Sequence, residues 1–262
     1  MEVFASFQGE GLFAGEPQVF VRLFGCPLRC AWCDTPGSWR VAPEAGARIA
    51  GLKPRRESSR ATPFQVACWI AEVERGARRT ISLTGGEPLM WPGFVRALAG
   101  MIGERRLHLE TAGAHPESLR RVLDCVDHVS LDLKLPADMG EVQELDGAGF
   151  ERSPRSAEEW REARRACLAL VAGRDACAKL VVSGGLPGGV ARGAEHVEDY
   201  VELLEDHARL APRVPLFLQP ATPVGGVPAA PLELIRALAE EALDLGLAVR
   251  VLPQMHRVLG IP

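Results

Sequence analysis

Residues 25–35 read GCPLRCAWCDT and place Cys26, Cys30 and Cys33 within eight positions, directly after the apolar run QVFVRLFG at 18–25. Clustered thiolates are typical ligands of zinc and of iron–sulfur clusters. A closed zinc or ferredoxin-type site needs a fourth ligand, and neither a second C-x-x-C nor a histidine pair follows in the chain. The triad therefore favours a four-iron cluster with one iron left open to a small molecule. Three packed thiols without a metal remain the alternative.

Outward from this stretch, short β-branched or leucine-rich runs alternate with segments of helical spacing. The runs lie at 18–25, 80–86, 106–113, 128–135, 178–185, 215–222 and 248–254. Alternation of this kind predicts right-handed βαβ units and a parallel sheet. Helix starts are marked by Pro92, Pro116 and Pro231, and the end of the last predicted helix by Gly246. About seven strands are too few for a closed eight-fold barrel, so we predict an α/β fold with an incomplete parallel β/α barrel of about six βα units.

Two segments interrupt this alternation. Residues 40–63 are rich in proline, glycine and arginine, and residues 136–156 are acidic and contain glycine. We interpret both as insertions or loops rather than as linkers between domains, so the range 1–262 is expected to form a single domain.

Composition excludes several classes of protein. The net charge of −4 gives no basic excess for nucleic acid, and 47% hydrophobic residues can build a large core. The N-terminal MEVFASFQGEG lacks the basic flank and the apolar run of a signal peptide or membrane helix. Four further cysteines are scattered singly and are expected to be reduced and buried. We therefore expect a cytoplasmic protein without a nucleic-acid or membrane partner.

Unusual polar segments follow several of the predicted strands. LTGG, ETAG, LDLK and LQPAT all stand at carboxyl ends of strands, where parallel α/β folds bind their ligands. Gly85 and Gly86 would let backbone carbonyls approach a ligand closely. Together with the cysteine spacing and Trp32 before the last cysteine, TGGEP at 84–88 resembles the radical S-adenosylmethionine superfamily.

The N-terminal stretch narrows this resemblance. FASFQGEGLFAGEPQVFVRLFGCPLRCAWCDT resembles the opening of the 7-carboxy-7-deazaguanine synthase family, and ETAG, SLDLK, LQP and Q-x-H at 254–256 extend the likeness over most of the chain. Two departures are SLDLKLP, where many members have S-P-K, and His-Arg at 256–257, where His-Lys is frequent. The fold implied is a partial barrel of the radical S-adenosylmethionine type.

The resemblance also implies a reaction and its cofactors. Abstraction of the C6 hydrogen by a 5′-deoxyadenosyl radical would convert 6-carboxy-5,6,7,8-tetrahydropterin to 7-carboxy-7-deazaguanine with loss of ammonia, in queuosine and 7-deazapurine biosynthesis. The cofactors implied are a [4Fe-4S] cluster, S-adenosyl-L-methionine and Mg²⁺. A homodimer and a flavodoxin-like or other electron donor are implied as partners.

By the same resemblance, Cys26, Cys30 and Cys33 are the catalytic residues that hold the cluster, and Thr35 is a ligand of Mg²⁺. S-adenosylmethionine is expected to lie against Trp32, Cys33, Asp34, Gly86, Ser130, Asp132, Lys134, Gln219, Pro220, Ala221 and Thr222. The pterin is expected to contact Phe7, Gln8, Gly9, Glu10, Arg22, Thr84, Glu110, His256 and Pro262.

Chemistry independently supports part of this set. The guanidinium of Arg22 suits a substrate carboxylate, and Gln8, Glu10 and Glu110 offer partners for the polar edge of a pterin. Taken singly, Arg22 could be ion-paired, Thr35 could be a turn residue and His256 could be a packing residue. Two other functions remain open: a small radical enzyme such as a glycyl-radical activase, and a non-catalytic zinc or cluster module.

Overall fold

The computed structural model describes residues 1–41, 46–51, 53–57, 61–145 and 150–261, which form ten strands and seven α-helices. The strands are β1 Glu2–Phe7, β2 Pro17–Leu23, β3 Ala47–Ile49, β4 Arg55–Glu57, β5 Thr80–Gly85, β6 Leu107–Thr111, β7 His128–Asp132, β8 Ala176–Val182, β9 Leu216–Pro220 and β10 Val249–Val251. The helices are α1 Pro63–Glu74, α2 Pro92–Ala99, α3 Pro116–Val122, α4 Ala157–Val171, α5 Glu198–Leu210, α6 Leu232–Asp244 and α7 Met255–Leu259.

All ten strands belong to one open sheet, ordered β10-β9-β8-β7-β6-β5-β2-β1-β3-β4. Strand β2 and strands β5 to β10 run parallel to one another and coincide with the seven runs predicted from sequence. Helices α1 to α5 follow the βαβ alternation, and α6 connects β9 to β10. The predicted incomplete parallel barrel is confirmed.

Three strands and one helix were not predicted. Strand β1 pairs antiparallel with β2, and the hairpin of β3 and β4 extends the sheet beyond β1. Helix α7 follows β10, so α6, which Gly246 ends, is not the last helix. Helices α2 and α3 begin at Pro92 and Pro116 as predicted, whereas Pro231 is the residue before α6.

The described parts of the two segments interpreted as insertions contain regular secondary structure. The hairpin of β3 and β4 lies within 40–63, and a 3-10 turn at Pro136–Asp138 opens 136–156. Residues 42–45, 52, 58–60 and 146–149 of these segments lie outside the described part of the chain. Met139 forms an isolated antiparallel bridge with Cys30, so the second segment returns to the cysteine loop.

The two faces of the sheet differ in chemistry. One face is apolar and packs with the helices in the main core, where residues such as Val21, Leu83, Leu109 and Leu168 are completely or almost completely buried. The opposite face carries polar side chains at alternate positions, among them Gln18, Ser82, Thr84, His108, Glu110, His128, Ser130, Asp132, Lys179 and Gln219. Burying this many polar groups costs free energy unless they are paired with one another or with a ligand. Their concentration on the inner face therefore indicates a binding surface there. Among the described residues, no helix combines the length and apolar character that a membrane span requires.

Acid sensitivity of the fold is expected from its buried histidines. Burial lowers the pKa of His115 to about 3, so its ring stays neutral in the folded protein while the unfolded chain protonates it near pH 6.5. Stability is therefore complete above about pH 6.5 and falls as pH decreases toward 3. The neutral variant His115→Gln, which can still bond Ser153, should remove about 1.4 kcal/mol of the stability difference between about pH 7.5 and about pH 5.5. Urea unfolding of both proteins at the two pH values measures this difference in the free energy of unfolding. If the difference were the same with and without the substitution, His115 would not be the group that makes the fold sensitive to acid.

Candidate active site

A cavity opens at the carboxyl ends of β2 and β5 to β9, where the sequence predicts ligand binding. Its floor and walls come from the inner face of the sheet, the cysteine loop and the segments after β1 and β10. The lining residues are Phe4, Phe7, Gln8, Gly9, Glu10, Phe20, Arg22, Cys26, Leu28, Cys30, Trp32, Cys33, Asp34, Thr35, Ser38, Trp39, Thr84, Gly85, Gly86, Glu110, Thr111, Ala112, Asp132, Lys134, Lys179, Val181, Gln219, Gln254 and His256.

Most of the residues predicted for the site therefore share one cavity. Ser130, Pro220, Ala221 and Thr222 are not in its lining. Ser130 is buried beneath it, where its hydroxyl lies 2.8 Å from His108 Nε2, and Thr222 Oγ1 donates to the lining residue Gln254 at 2.6 Å. Their predicted contacts with S-adenosylmethionine remain predictions that this geometry does not support. Pro262 lies outside the described residues.

The cysteine loop is held by backbone hydrogen bonds. The N–H groups of Gly25 and Cys26 donate to the carbonyls of Ser38 and Trp39 at 2.8 and 3.0 Å, and Cys33 N donates to Cys30 O at 3.1 Å. All three thiols are free. Burial raises the pKa of Cys30 to about 11, although the nearby Lys134 ammonium opposes that rise.

The donor set fits a four-iron cluster better than a zinc ion. Among the described residues, no three Cys, His, Asp or Glu side chains converge on a point that would hold a single metal ion. A zinc site requires that convergence, whereas a four-iron cluster takes each thiolate on a different iron atom. The three free thiols share this cavity, and a set of three thiolates suits the cluster.

Two glycines allow the end of β5 to lie in close contact with this loop. Gly85 has φ +125°, and a Cβ there would lie 2.1 Å from Leu23 O. A Cβ on Gly86 would lie 2.5 Å from Gly25 O, and Gly86 N donates to Leu23 O at 2.8 Å. Only glycine permits this approach of β5 to the segment that precedes Cys26.

One carboxylate on the inner face accepts hydrogen bonds from three side chains, one after β1 and two on β5. Glu110 Oε1 accepts from Gln8 Nε2 at 2.7 Å and from Ser82 Oγ at 2.9 Å, and Oε2 accepts from Thr84 Oγ1 at 2.8 Å. The predicted pterin contacts Gln8, Thr84 and Glu110 are therefore one hydrogen-bonded group. Such a group holds its members in defined positions for a ligand with donors and acceptors on one edge.

A second polar group contains two buried lysines. Lys179 Nζ pairs with Glu10 Oε2 and lies 3.1 Å from Asp132 Oδ1, while Lys134 Nζ lies 2.5 Å from Asp132 Oδ2. Burial raises the pKa of Asp132, but the two ammonium groups outweigh it and hold that pKa below its ordinary value. Gln219 also donates to Glu10, at 3.1 Å. This network joins the predicted pterin residue Glu10 to the predicted cofactor residues Asp132 and Gln219.

Helix α7 closes one side of the cavity. Met255 N donates to Gly9 O at 2.9 Å, and Gln254 Nε2 donates to Glu10 Oε1 at 2.8 Å. The chain end also contacts Asp34, since His256 Nε2 lies 3.5 Å from Oδ2 and Arg257 Nη2 donates to the carbonyl at 3.1 Å. Burial raises the pKa of Asp34, yet the bond from His256 and the charge of Arg257 outweigh it and hold that pKa well below its usual range.

Arg22 already has an ion-pair partner within the protein, whereas the Thr35 side chain does not cap the turn that follows it. Arg22 lines the cavity, but its Nη1 forms an ion pair with Glu2 Oε2 at 2.9 Å, the alternative that the sequence left open. Thr35 precedes a 3-10 turn at Pro36–Ser38, and its side chain makes no capping hydrogen bond. Its hydroxyl is therefore not committed to that turn.

Sequence reasoning missed Lys179 and Gln254 as parts of the site. Lys179 is the one charged residue in the apolar strand ACAKLVV, a signal that could have been used, because a lysine there requires a partner. Gln254 occurs in the quoted Q-x-H element, but its contacts with Glu10, Asp34 and Thr222 depend on residues remote in sequence.

The chain is similar to known proteins along most of its length. A family model described as the Radical SAM superfamily matches residues 21–175. A 7-carboxy-7-deazaguanine synthase of Methanothermobacter thermautotrophicus is 32% identical over 270 residues, which cover 100% of this chain and 96% of the relative. A protein of the same name from Geobacter sulfurreducens is 31% identical over 277 residues and covers 99% and 96%.

Two solved structures share the fold. QueE from Escherichia coli has a TM-score of 0.53 at 22% identity, covering 97% of this chain and 92% of that one. A radical SAM methyltransferase from Sphaerobacter thermophilus has a TM-score of 0.56 at 15% identity, covering 91% and 66%. At these identities the two structures are evidence for the fold alone.

Proposed function

We propose, from the premise that this chain belongs to the 7-carboxy-7-deazaguanine synthase family of the radical S-adenosylmethionine superfamily, that it converts 6-carboxy-5,6,7,8-tetrahydropterin to 7-carboxy-7-deazaguanine with loss of ammonia. The observation that carries the proposal is the shared cavity, which brings three free thiols together with the Glu110 group and Thr35. An activase that acts on a partner protein would not require an enclosed set of polar groups suited to a small heterocycle.

Family membership implies a [4Fe-4S] cluster and S-adenosylmethionine, and Cys26, Cys30 and Cys33 are the residues that would hold the cluster. When bound, this pair supplies one-electron cleavage of the sulfonium and a carbon radical for hydrogen abstraction at C6. Trp32, Asp34, Gly86, Asp132, Lys134 and Gln219 are the cavity residues we assign to S-adenosylmethionine.

The pterin is assigned to the side of the cavity near β1 and β6. Glu110, held by Thr84 and Ser82, presents an acceptor to the guanidine-like edge, and the Gln8 amide offers a donor and an acceptor beside it. A polar edge that is left unpaired in a buried pocket costs about 1–3 kcal/mol per group, so these residues select for a pterin over an apolar ring. Phe7, Gly9 and Glu10 complete this assignment.

We assign Mg²⁺ to the neighbourhood of Thr35. Its hydroxyl oxygen is a hard ligand of the kind that Mg²⁺ prefers, and the ion would complete its coordination with water and the substrate carboxylate. Arg22 would approach the same carboxylate with the part of its guanidinium that Glu2 does not engage. The free position of the Thr35 side chain with respect to the following turn supports this assignment.

Anaerobic turnover tests the proposed reaction. The reconstituted enzyme, incubated with S-adenosylmethionine, Mg²⁺, a reductant and the carboxytetrahydropterin, is expected to form 7-carboxy-7-deazaguanine, identified by mass, with one ammonia released for each product. An intact cluster without this product would reject the substrate assignment. A glycyl radical generated on a partner protein would favour the activase instead.

Substitution of Gly9 tests the assignment of the C-terminal segment to the site. A Cβ at Gly9 would lie 2.2 Å from His256 Nδ1 and 2.9 Å from His256 N, so Gly9→Ala must displace α7. A displacement on this scale is expected to lower kcat/KM for the pterin by roughly 10- to 100-fold. Gly93→Ala, which has open space around the new Cβ, is the matched control. Equal kcat/KM values in both variants would contradict the assignment of His256 and the C-terminal segment to the pterin site.

Three further proposals concern the domain organisation, the partners and the cellular location of the enzyme. The sheet that includes all ten strands supports a single domain over 1–262. The resemblance supports a homodimer and a flavodoxin-like or other electron donor. Seven free cysteines and an oxygen-sensitive cluster support a cytoplasmic location.

A further inference from the structure

A buried ion pair lies beside the cysteine loop but outside the residues assigned above. Arg192 Nη2 donates to Asp138 Oδ1 at 2.7 Å and Nη1 donates to Oδ2 at 3.1 Å, so the pair is bidentate. The two side chains are 8% and 1% exposed. Ser183 Oγ and Tyr200 OH each accept from Arg192 Nη1, at 2.8 and 3.2 Å, which fixes the guanidinium further.

Asp138 contacts the cysteine loop through both its backbone and its side chain. Its carbonyl accepts from Ala31 N at 2.9 Å, and its Oδ2 accepts from Trp32 Nε1 at 3.4 Å. Directly after it in the chain, Met139 bridges to Cys30 and Gly140 N donates to Arg29 O at 2.6 Å. The two residues between Cys30 and Cys33 are thus held by the acidic segment 136–156, to which the proposed reaction assigns no role.

The contact continues from Trp32 into the network assigned to the cofactor. The Trp32 ring faces Lys134 Nζ at 4.2 Å from its centroid, a cation–π arrangement. Lys134 in turn pairs with Asp132 at 2.5 Å. A change at Asp138 would therefore reach Trp32 directly and Lys134 through it.

We propose that Asp138 and Arg192 are a positioning pair, which fixes Trp32 and the Cys30–Cys33 segment in the arrangement that binds S-adenosylmethionine at the cluster. This inference rests on the proposed function for the assignment of Trp32 to the cofactor. Neither residue of the pair lines the cavity in the part of the chain that the structure describes, so their effect passes through Trp32.

Paired substitutions in the holoenzyme test the proposal. Asp138→Asn keeps the side-chain shape and removes the charge, and Arg192→Lys keeps the charge and removes the bidentate contact. The matched controls are Asp206→Asn and Arg164→Lys, because these residues form an equally buried pair, 3% and 4% exposed, between α5 and α4. Equilibrium dialysis would measure the Kd of S-adenosylmethionine. Electron paramagnetic resonance of the reduced cluster would report on the environment of the cluster. Iron content and Tm would show whether the cluster and the fold are intact.

The expected result is a Kd for S-adenosylmethionine that rises roughly tenfold in Asp138→Asn and in Arg192→Lys, with iron content retained and Tm matching the controls. The spectral change that S-adenosylmethionine causes in the reduced cluster should be reduced in the same two variants. A Kd within about twofold of the unsubstituted enzyme, or an equal rise in the controls, would overturn the proposal.

Trp32→Phe keeps the ring and removes the indole donor, and it provides a second route if Asp138→Asn does not fold. It is expected to raise the same Kd, and the Asp138→Asn/Trp32→Phe double variant should bind no more weakly than the weaker single variant, because both act through one contact. An unchanged Kd in Trp32→Phe, or fully additive losses, would overturn the route through Trp32. These are binding measurements without the pterin, so a failure of the pterin assignment would leave their outcome unaffected.

Discussion

Replacing Cys30 by alanine is expected to abolish both the cluster and turnover. Cys30 is one of three thiols in the cavity, and its loss leaves the thiols of Cys26 and Cys33 there. Two thiolates leave the four-iron cluster without a ligand that it requires. We therefore expect iron content to fall to the background level and product formation to fall below detection after the same anaerobic reconstitution.

The matched control is Cys68→Ala, because Cys68 is an exposed cysteine on α1 outside the cavity. It should retain iron, the visible absorption of the cluster and full turnover. Product formation by Cys30→Ala at the unsubstituted rate would contradict the assignment of all three cluster ligands.

Replacing Lys179 by methionine is expected to have the second largest effect. Methionine retains an apolar chain of similar length but removes the cation that lies between Glu10 and Asp132. Because an uncompensated buried charge costs about 3–5 kcal/mol, the free energy of unfolding should fall by about 3 kcal/mol or more. Glu10 would also lose its ion pair and keep the weaker amide donors Gln219 and Gln254, so kcat/KM for the pterin should fall by roughly 100-fold or more.

Urea unfolding and steady-state turnover measure these two losses, and Lys53→Met is the control at an exposed position. The control should change stability by no more than about 0.5 kcal/mol. If Lys179→Met matched the control in both measurements, Lys179 would be a solvated side chain without a role in the network.

The sequence predicted the parallel part of the fold for a clear physical reason. Strands β5 to β9 lie between neighbours, and their helix-facing positions are apolar except for Thr111 at the end of β6, so they produce continuous or alternating hydrophobic runs. Strands β3 and β4 have three residues each and lie at one edge of the sheet, so little apolar surface marks them. Helix α7 has five residues and is held mainly by contacts with Gly9 and Asp34, which no local pattern records.

The site residues likewise fall into those that the sequence predicted and those that it did not. Residues on the cysteine loop and at strand ends could be located because their motifs are contiguous, and TGGEP stands directly at the end of β5. The pairing of Asp138 with Arg192 joins residues 54 positions apart, within segments that appear only acidic or glycine-rich in sequence. Lys179 was predicted as part of a strand, but its partner Glu10 is 169 positions away.

Hydrogen abstraction from C6 of a carboxylated pterin in this cavity is the step from which the proposed function follows, and isotopic labelling of C6 examines that step itself. The holoenzyme would turn over 6-carboxy-5,6,7,8-tetrahydropterin deuterated at C6 in the presence of S-adenosylmethionine and Mg²⁺. We expect 7-carboxy-7-deazaguanine to form and the recovered S-adenosylmethionine or 5′-deoxyadenosine to carry deuterium. Product formed while both adenosyl species remain free of deuterium would contradict it.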